Sequence, residues 1–213
     1  MMRVSLSRRS LRWVLPVWLA AWLSPALAHH PMGGMTPATL WQGLLSGFGH
    51  PVIEADHLMF LLAAGVLCGA GRIVPRARAL WLAALFASAA MAGTLLRVPG
   101  VVVPFGEAYV AVSLIVVAAC LLAGRLPGAG LATPLAVAAG LAHGYAFGET
   151  VIGAEATPIA GYLVGLALTQ TALLFSAFFL ADAARRRSPA GALLTTRLTA
   201  FAAAAVAVVA LVR

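Results

Sequence analysis

From residue 52 onward the chain is a succession of long apolar stretches separated by short connections that carry most of its charge. Six such stretches stand out, at about 52–70, 79–96, 107–124, 131–147, 159–181 and 196–212. A helix needs about 20 apolar residues to cross ~30 Å of hydrocarbon. Inside that layer only helices and closed barrels satisfy their own backbone. The pattern therefore predicts an all-α integral membrane bundle of six transmembrane helices. Composition agrees: 62% of residues are hydrophobic and 9% charged, against roughly 25% charged in soluble domains. The stretch before the first span, TPATLWQGLLSGFG, is too short to cross and is expected as an interfacial or re-entrant helix ending at His50-Pro51.

The chain opens with a basic segment (Arg3, Arg8, Arg9, Arg12), an apolar stretch over 13–23 and Ala26-Leu27-Ala28. That order is expected of a cleaved secretory signal peptide over residues 1–28; an uncleaved first membrane helix is the alternative. Cleavage would leave residues 29–213 as a single transmembrane domain. It would also remove four arginines, leaving 10 against 6 acids. His29 and His30 would stand at the new N-terminus, where an α-amine and imidazoles can capture a divalent metal. A polar tail is the plainer reading of the same residues.

Every basic residue other than histidine is arginine, 14 in all. They fall in clusters between apolar stretches rather than along one face with interleaved aromatics, so no nucleic-acid partner is expected. With the mature N-terminus outside, Arg72, Arg76, Arg78, Arg125, Arg185, Arg186, Arg187 and Arg197 all fall on the inner side, against Arg97 and Arg213 outside. The positive-inside rule favours this arrangement and places the protein in a bacterial inner membrane with a periplasmic N-terminus. The other ionisable groups then sort themselves. His29, His30, His50, Glu54, Asp56, His57, Glu107, His143, Glu149 and Glu155 all lie at or near the outer side. Asp182 alone is inward, beside its arginines, as a solvated helix end.

Ionisable groups at membrane depth are rare and usually face a cavity or one another. If Pro51 starts a helix, as proline at a first helical position commonly does, Glu54 and His57 share a face and His50 precedes them on the same side. Asp56 would be a ligand or a partner that orients an imidazole. Far along the chain, His143 lies within the fourth span, one turn from its outer end, and Glu149 follows at its mouth. Imidazole with carboxylate suits a divalent transition metal such as nickel, cobalt, zinc or iron rather than Cu(I). His50, Glu54, Asp56, His57, His143 and Glu149 are thus the candidate metal ligands. Met59, Cys68 and Cys120 read as core residues, and Glu107 and Glu155 as helix-start charges favoured by the dipole. Gly161 and Gly165, four apart, permit close helix packing within or between chains, which leaves a homo-oligomer open.

His50-Pro51-Val52-Ile53-Glu54-Ala55-Asp56-His57 resembles the H-P-x-x-G-x-D-H signature of the HupE/UreJ family, membrane proteins associated with nickel enzymes. His143-Gly144-Tyr145-Ala146-Phe147-Gly148-Glu149 resembles that family's second motif. A leader peptide, a His-bearing mature terminus and motifs in the first and fourth spans also match. The resemblance implies uptake of nickel, with cobalt next, and a possible partner in metalloenzyme maturation. Three departures harden the site: Glu54 replaces the family's usual glycine, and Tyr145 and Phe147 stand where many members carry histidine. A looser likeness exists to the nickel/cobalt transporter motif H-x-x-x-x-D-H, from which the spacing here differs by one. The chain has no lysine and hence no G-x-x-x-x-G-K-[ST], so nothing in it reads as an ATPase. No organic cofactor is expected; the metal is the substrate. Two rival classes are an intramembrane metal-dependent hydrolase, for which H-E-x-x-H is missing, and a membrane metal sensor or chaperone.

Overall fold

The computed structural model describes residues 35–70 and 75–212. The expected leader, His29, His30, Arg72 and Arg213 lie outside these residues. Seven α-helices and one 3-10 turn follow in order: α1 (Leu40–Ile53), α2 (Ala55–Ala70), α3 (Arg76–Arg97), α4 (Gly106–Ala123), α5 (Ala129–Phe147), the turn Gly148–Val151, α6 (Ala156–Arg187) and α7 (Pro189–Leu211). No strand occurs among the described residues. Helices occupy all six expected apolar stretches, but the count of crossings differs. By length and composition, α3, α4, α6 and α7 can cross a membrane, and α1 with α2 makes a fifth if the bent pair is one span. At 19 residues α5 has the length. Its glycines, Pro134, His143 and Tyr145 dilute its apolar character. Of the six crossings expected from the sequence, four, or five with the bent pair, meet that test of length and composition among the described residues.

The pair α1 and α2 is not a single rod. Pro51 does not start a helix; it lies inside α1, whose last residue is Ile53. Proline has no N–H to give the carbonyl four residues back, and its ring crowds that turn. The ladder fails shortly afterwards: Glu54 is extended, with φ −86° and ψ 120°, and α2 leaves at 75° to α1. The upstream end is conventional, with the Thr39 Oγ1 accepting from the Gln42 N–H at 3.2 Å, as an N-cap should.

Two close pairings hold the bundle. Helices α1 and α2 pack along α6, and α3 packs along α5. Glycines make both possible. A Cβ on Gly43 or Gly47 would strike the backbone of Pro158 or Tyr162, and one on Gly161 or Gly165 would strike that of Leu40 or Leu44. The glycine pair on α6 therefore serves packing within this chain. In the other pairing, Gly140 and Gly144 meet the backbone of Phe86 and Ala90. Such small-residue contacts replace the hydrophobic drive that is missing between helices in lipid. A third pairing, α4 along α7, is made largely of alanine and other aliphatic side chains.

The ends of the bundle differ in charge. Asp182, expected as a solvated helix end, is only 8% exposed. It is bonded to Arg185 at 2.6 Å, Arg186 at 2.9 Å and Arg76 at 3.4 Å. The last of these reaches over from the start of α3. Nearby, Arg78 donates to the Pro127 carbonyl at 2.7 Å. At the opposite end, Arg97 donates to Tyr145 Oη at 2.7 Å. An apolar cavity of about 520 Å³ runs between α3 and α4, lined by Phe60, Leu82, Phe86, Val112, Leu135 and Leu174 among others. Cys68 and Cys120 are free thiols on its wall.

Candidate metal site

The break at Glu54 builds the centre of the site. Residues 50, 54 and 57 stay one helical turn apart, so their side chains remain neighbours although the helix axis turns between them. Glu54 Oε1 lies 3.2 Å from His50 Nε2, and Glu54 Oε2 lies 3.0 Å from His57 Nε2. One ligand atom from each of the three residues can be chosen so that all lie within 4.8 Å of one another. His50 and His57 are buried at 3% and 1% exposure, and the Glu54 side chain is 17% exposed. Glu54 also immediately precedes α2 and its backbone carbonyl accepts the Leu58 N–H. A carboxylate at a helix start is favoured by the dipole.

The outer bonds of the imidazoles decide what they offer inward. Tyr162 Oη donates its one proton to the Phe147 carbonyl at 2.7 Å. Its oxygen, 2.8 Å from His50 Nδ1, is therefore an acceptor there. His50 carries its proton on Nδ1, with Thr150 Oγ1 at 2.9 Å as a second partner. A neutral ring so protonated has its lone pair on Nε2, facing Glu54.

The same count applies to His57. Ser113 spends its proton on the Val110 carbonyl at 2.7 Å, so it accepts from His143 Nε2 at 2.9 Å. His143 Nδ1 is then an acceptor for His57 Nδ1–H at 2.7 Å, which leaves the His57 Nε2 lone pair on Glu54 as well. Two imidazole lone pairs and a carboxylate converge on one place. They repel unless a cation lies among them, and either a proton or a metal ion answers that need. Around them Phe147 lies 4.1 Å from the His57 ring and 5.0 Å from the His50 ring, and Phe60 lies 4.3 Å from the His143 ring. This apolar wall lowers the local polarity and strengthens the charge interactions inside.

Not every residue expected at the site reaches it. His50, Glu54 and His57 come together, and His143 joins them from α5 through His57. Asp56 is half-buried and its Oδ1 accepts the His57 backbone N–H at 2.7 Å, so it braces the chain at the start of α2 and touches neither ring through that oxygen. Glu149 is carried off by the 3-10 turn that follows α5. Its side chain is 62% exposed and lies 4.0 Å from Arg97. Glu107 and Glu155 are exposed at helix starts. Tyr162, Thr150 and Ser113 were not anticipated. Their signal was a hydroxyl in or beside an apolar span, which at membrane depth is itself a pointer to function.

The helices and the buried histidine–glutamate cluster define a multi-pass membrane protein with a polar centre inside its bundle. Compared with known families, the chain matches the HupE / UreJ protein family over residues 17–212. It belongs to that family. Searches of curated proteins and of solved structures returned no match.

Proposed function

We propose that this protein is a permease that takes up a divalent transition-metal ion, nickel first and cobalt next, through an inner membrane. The observation that carries the reading is the convergence of His50 Nε2, His57 Nε2 and the Glu54 carboxylate, with His143 of another helix locked to His57. Family membership adds that such proteins are of a transport-related type. The arginine-rich loops face the cytoplasm in this reading and the cluster faces the periplasm.

An ion arriving from the periplasmic side exchanges part of its water shell for two imidazoles and a carboxylate. Binding must stay moderate, because a site that holds too tightly does not conduct. The membrane potential is worth ~2.3 kcal/mol per charge per 100 mV, so a divalent cation entering a negative interior gains about twice that. His57, His143 and Ser113 form one hydrogen-bonded string that holds the His57 ring while its Nε2 exchanges partners.

Replacing His57 or His143 with alanine is expected to abolish cellular accumulation of nickel and cobalt while the protein still inserts, measured by elemental analysis of cells and by membrane immunoblot. Wild-type accumulation in both variants overturns the assignment.

A further inference from the structure

Two buried polar side chains outside the cluster have no hydrogen-bond partner among the described residues. Gln170 on α6 is 1% exposed, and neither its Nε2 nor its Oε1 has a partner among the described residues. Ser46 on α1 is 0% exposed, and its Oγ has none either. Three threonines elsewhere in the bundle are bonded. Thr94, Thr195 and Thr196 each bond back to the carbonyl four residues earlier, and Gln42 accepts from the Ala38 N–H. A buried polar group left unmade costs about 1–3 kcal/mol. Such groups are usually explained by water, an ion or a functional role. Gln170 leaves both ends of its amide in that condition.

The positions of the two residues are informative. Tyr162, Leu166, Gln170 and Leu174 are buried at successive turns of α6. Gly47 packs against the backbone of Tyr162 and Leu166, and Gly65 against that of Leu174. Gln170 is therefore on the inward face of α6, opposite the part of the chain between those glycines, where α1 breaks and Glu54 and His57 sit. Relative to Tyr162, which holds His50, it lies toward the arginine-rich end. Ser46 is on the other side, one turn before His50 on the buried face of α1. Polar groups thus recur along the α1/α2–α6 seam, whereas the large cavity between α3 and α4 is apolar.

We propose that Gln170 and Ser46 are further contact points for the cation and its water on either side of the His50–Glu54–His57 cluster. Ser46 meets the ion before the cluster, and the Gln170 amide oxygen receives it afterwards, on the way to the arginine-rich end. The proposal rests on the permease reading and extends it to a path. An amide oxygen is a weak, neutral ligand for a divalent transition ion, which suits a station that must release what it accepts.

Two experiments test this. In the first, Gln170→Leu is reconstituted in liposomes and Ni²⁺ influx is measured, beside equilibrium Ni²⁺ binding to the detergent-purified protein. Influx should fall by at least about tenfold, the effect of losing one hydrogen-bonding contact to a charged species, with binding and folding unchanged. Gln170→Asn should recover part of the influx. A residue that is merely buried gives the opposite result, because leucine removes an unsatisfied amide and leaves influx at the wild-type level; that outcome sinks the proposal. The second experiment does not need transport. Cys68 and Cys120 are replaced by alanine, and Gln170→Cys is treated with a charged, membrane-impermeant methanethiosulfonate. Labelling that Ni²⁺ slows supports a wet, ion-accessible seam, and no labelling overturns it. If wild-type protein carries no Ni²⁺ while the cysteine still labels with protection, the transport reading fails and the ion-accessible seam stands.

Discussion

The two histidine-carboxylate motifs look equivalent in the sequence and are treated very differently by the fold. Residues 50–57 deliver three side chains to one point, within 4.8 Å. Residues 143–149 deliver one. The reason is local geometry. In the first motif the spacing of four and three keeps the ligands on one side of the chain, and the break at Glu54 turns them inward together. In the second, α5 ends at Phe147. The 3-10 turn then winds more tightly than the helix and points Glu149 at Arg97, half out of the protein. Motif composition thus says which chemistry is available, and the helix end decides how much of it arrives.

The sharpest way to break this comparison is at Glu54. Glu54→Gly restores the glycine of the motif that residues 50–57 resemble and removes the only carboxylate of the converging set. Nickel affinity is expected to fall by more than about a hundredfold, since losing even an outer partner of a metal site costs about 10–100-fold. Isothermal titration of purified protein measures it, and unchanged affinity would return the carboxylate role to Asp56 or Glu149. Next in size is Tyr162→Phe, which takes away the acceptor on His50 Nδ1 and leaves Thr150 to hold the ring. A loss of about tenfold in affinity is expected. In metal-free protein, ring ¹⁵N shifts of His50 should show the proton no longer confined to Nδ1. The smallest effect belongs to Glu149→Gln. Its exposed pair with Arg97 is worth at most ~1 kcal/mol, so affinity and stability should stay near wild type; a large loss of binding would mean that Glu149 swings inward when the ion arrives.

Much of the bundle was legible because the bilayer leaves a chain few choices. Apolar stretches became helices at the expected places, and the arginine clusters at Arg76–Arg78, Arg125 and Arg185–Arg187 gathered at one end. What stayed hidden depends on backbone detail or on distant partners. Pro51 read as a helix start, because that is where proline fits most easily. Instead α1 runs through it, tolerated because the glycine-lined packing of Gly43 and Gly47 on α6 anchors the helix on its upstream side. Tyr162 and Thr150 hold His50 from 112 and 100 residues away, and no periodicity in one span announces a partner in another. Asp182 was read from its own helix alone. The Arg76 contact that covers it comes from 106 residues upstream.

The Nδ1 protons of His50 and His57 are both engaged with acceptors outside the cluster, and this has a bearing on which ions are turned away. Magnesium demands six oxygens in a tight octahedron and gives up its waters reluctantly; calcium also wants an all-oxygen shell. Neither gains from two fixed nitrogen donors and a single carboxylate. Under the permease reading, the abundant alkaline-earth ions are rejected by the chemistry of two nitrogen atoms, with no narrow pore required.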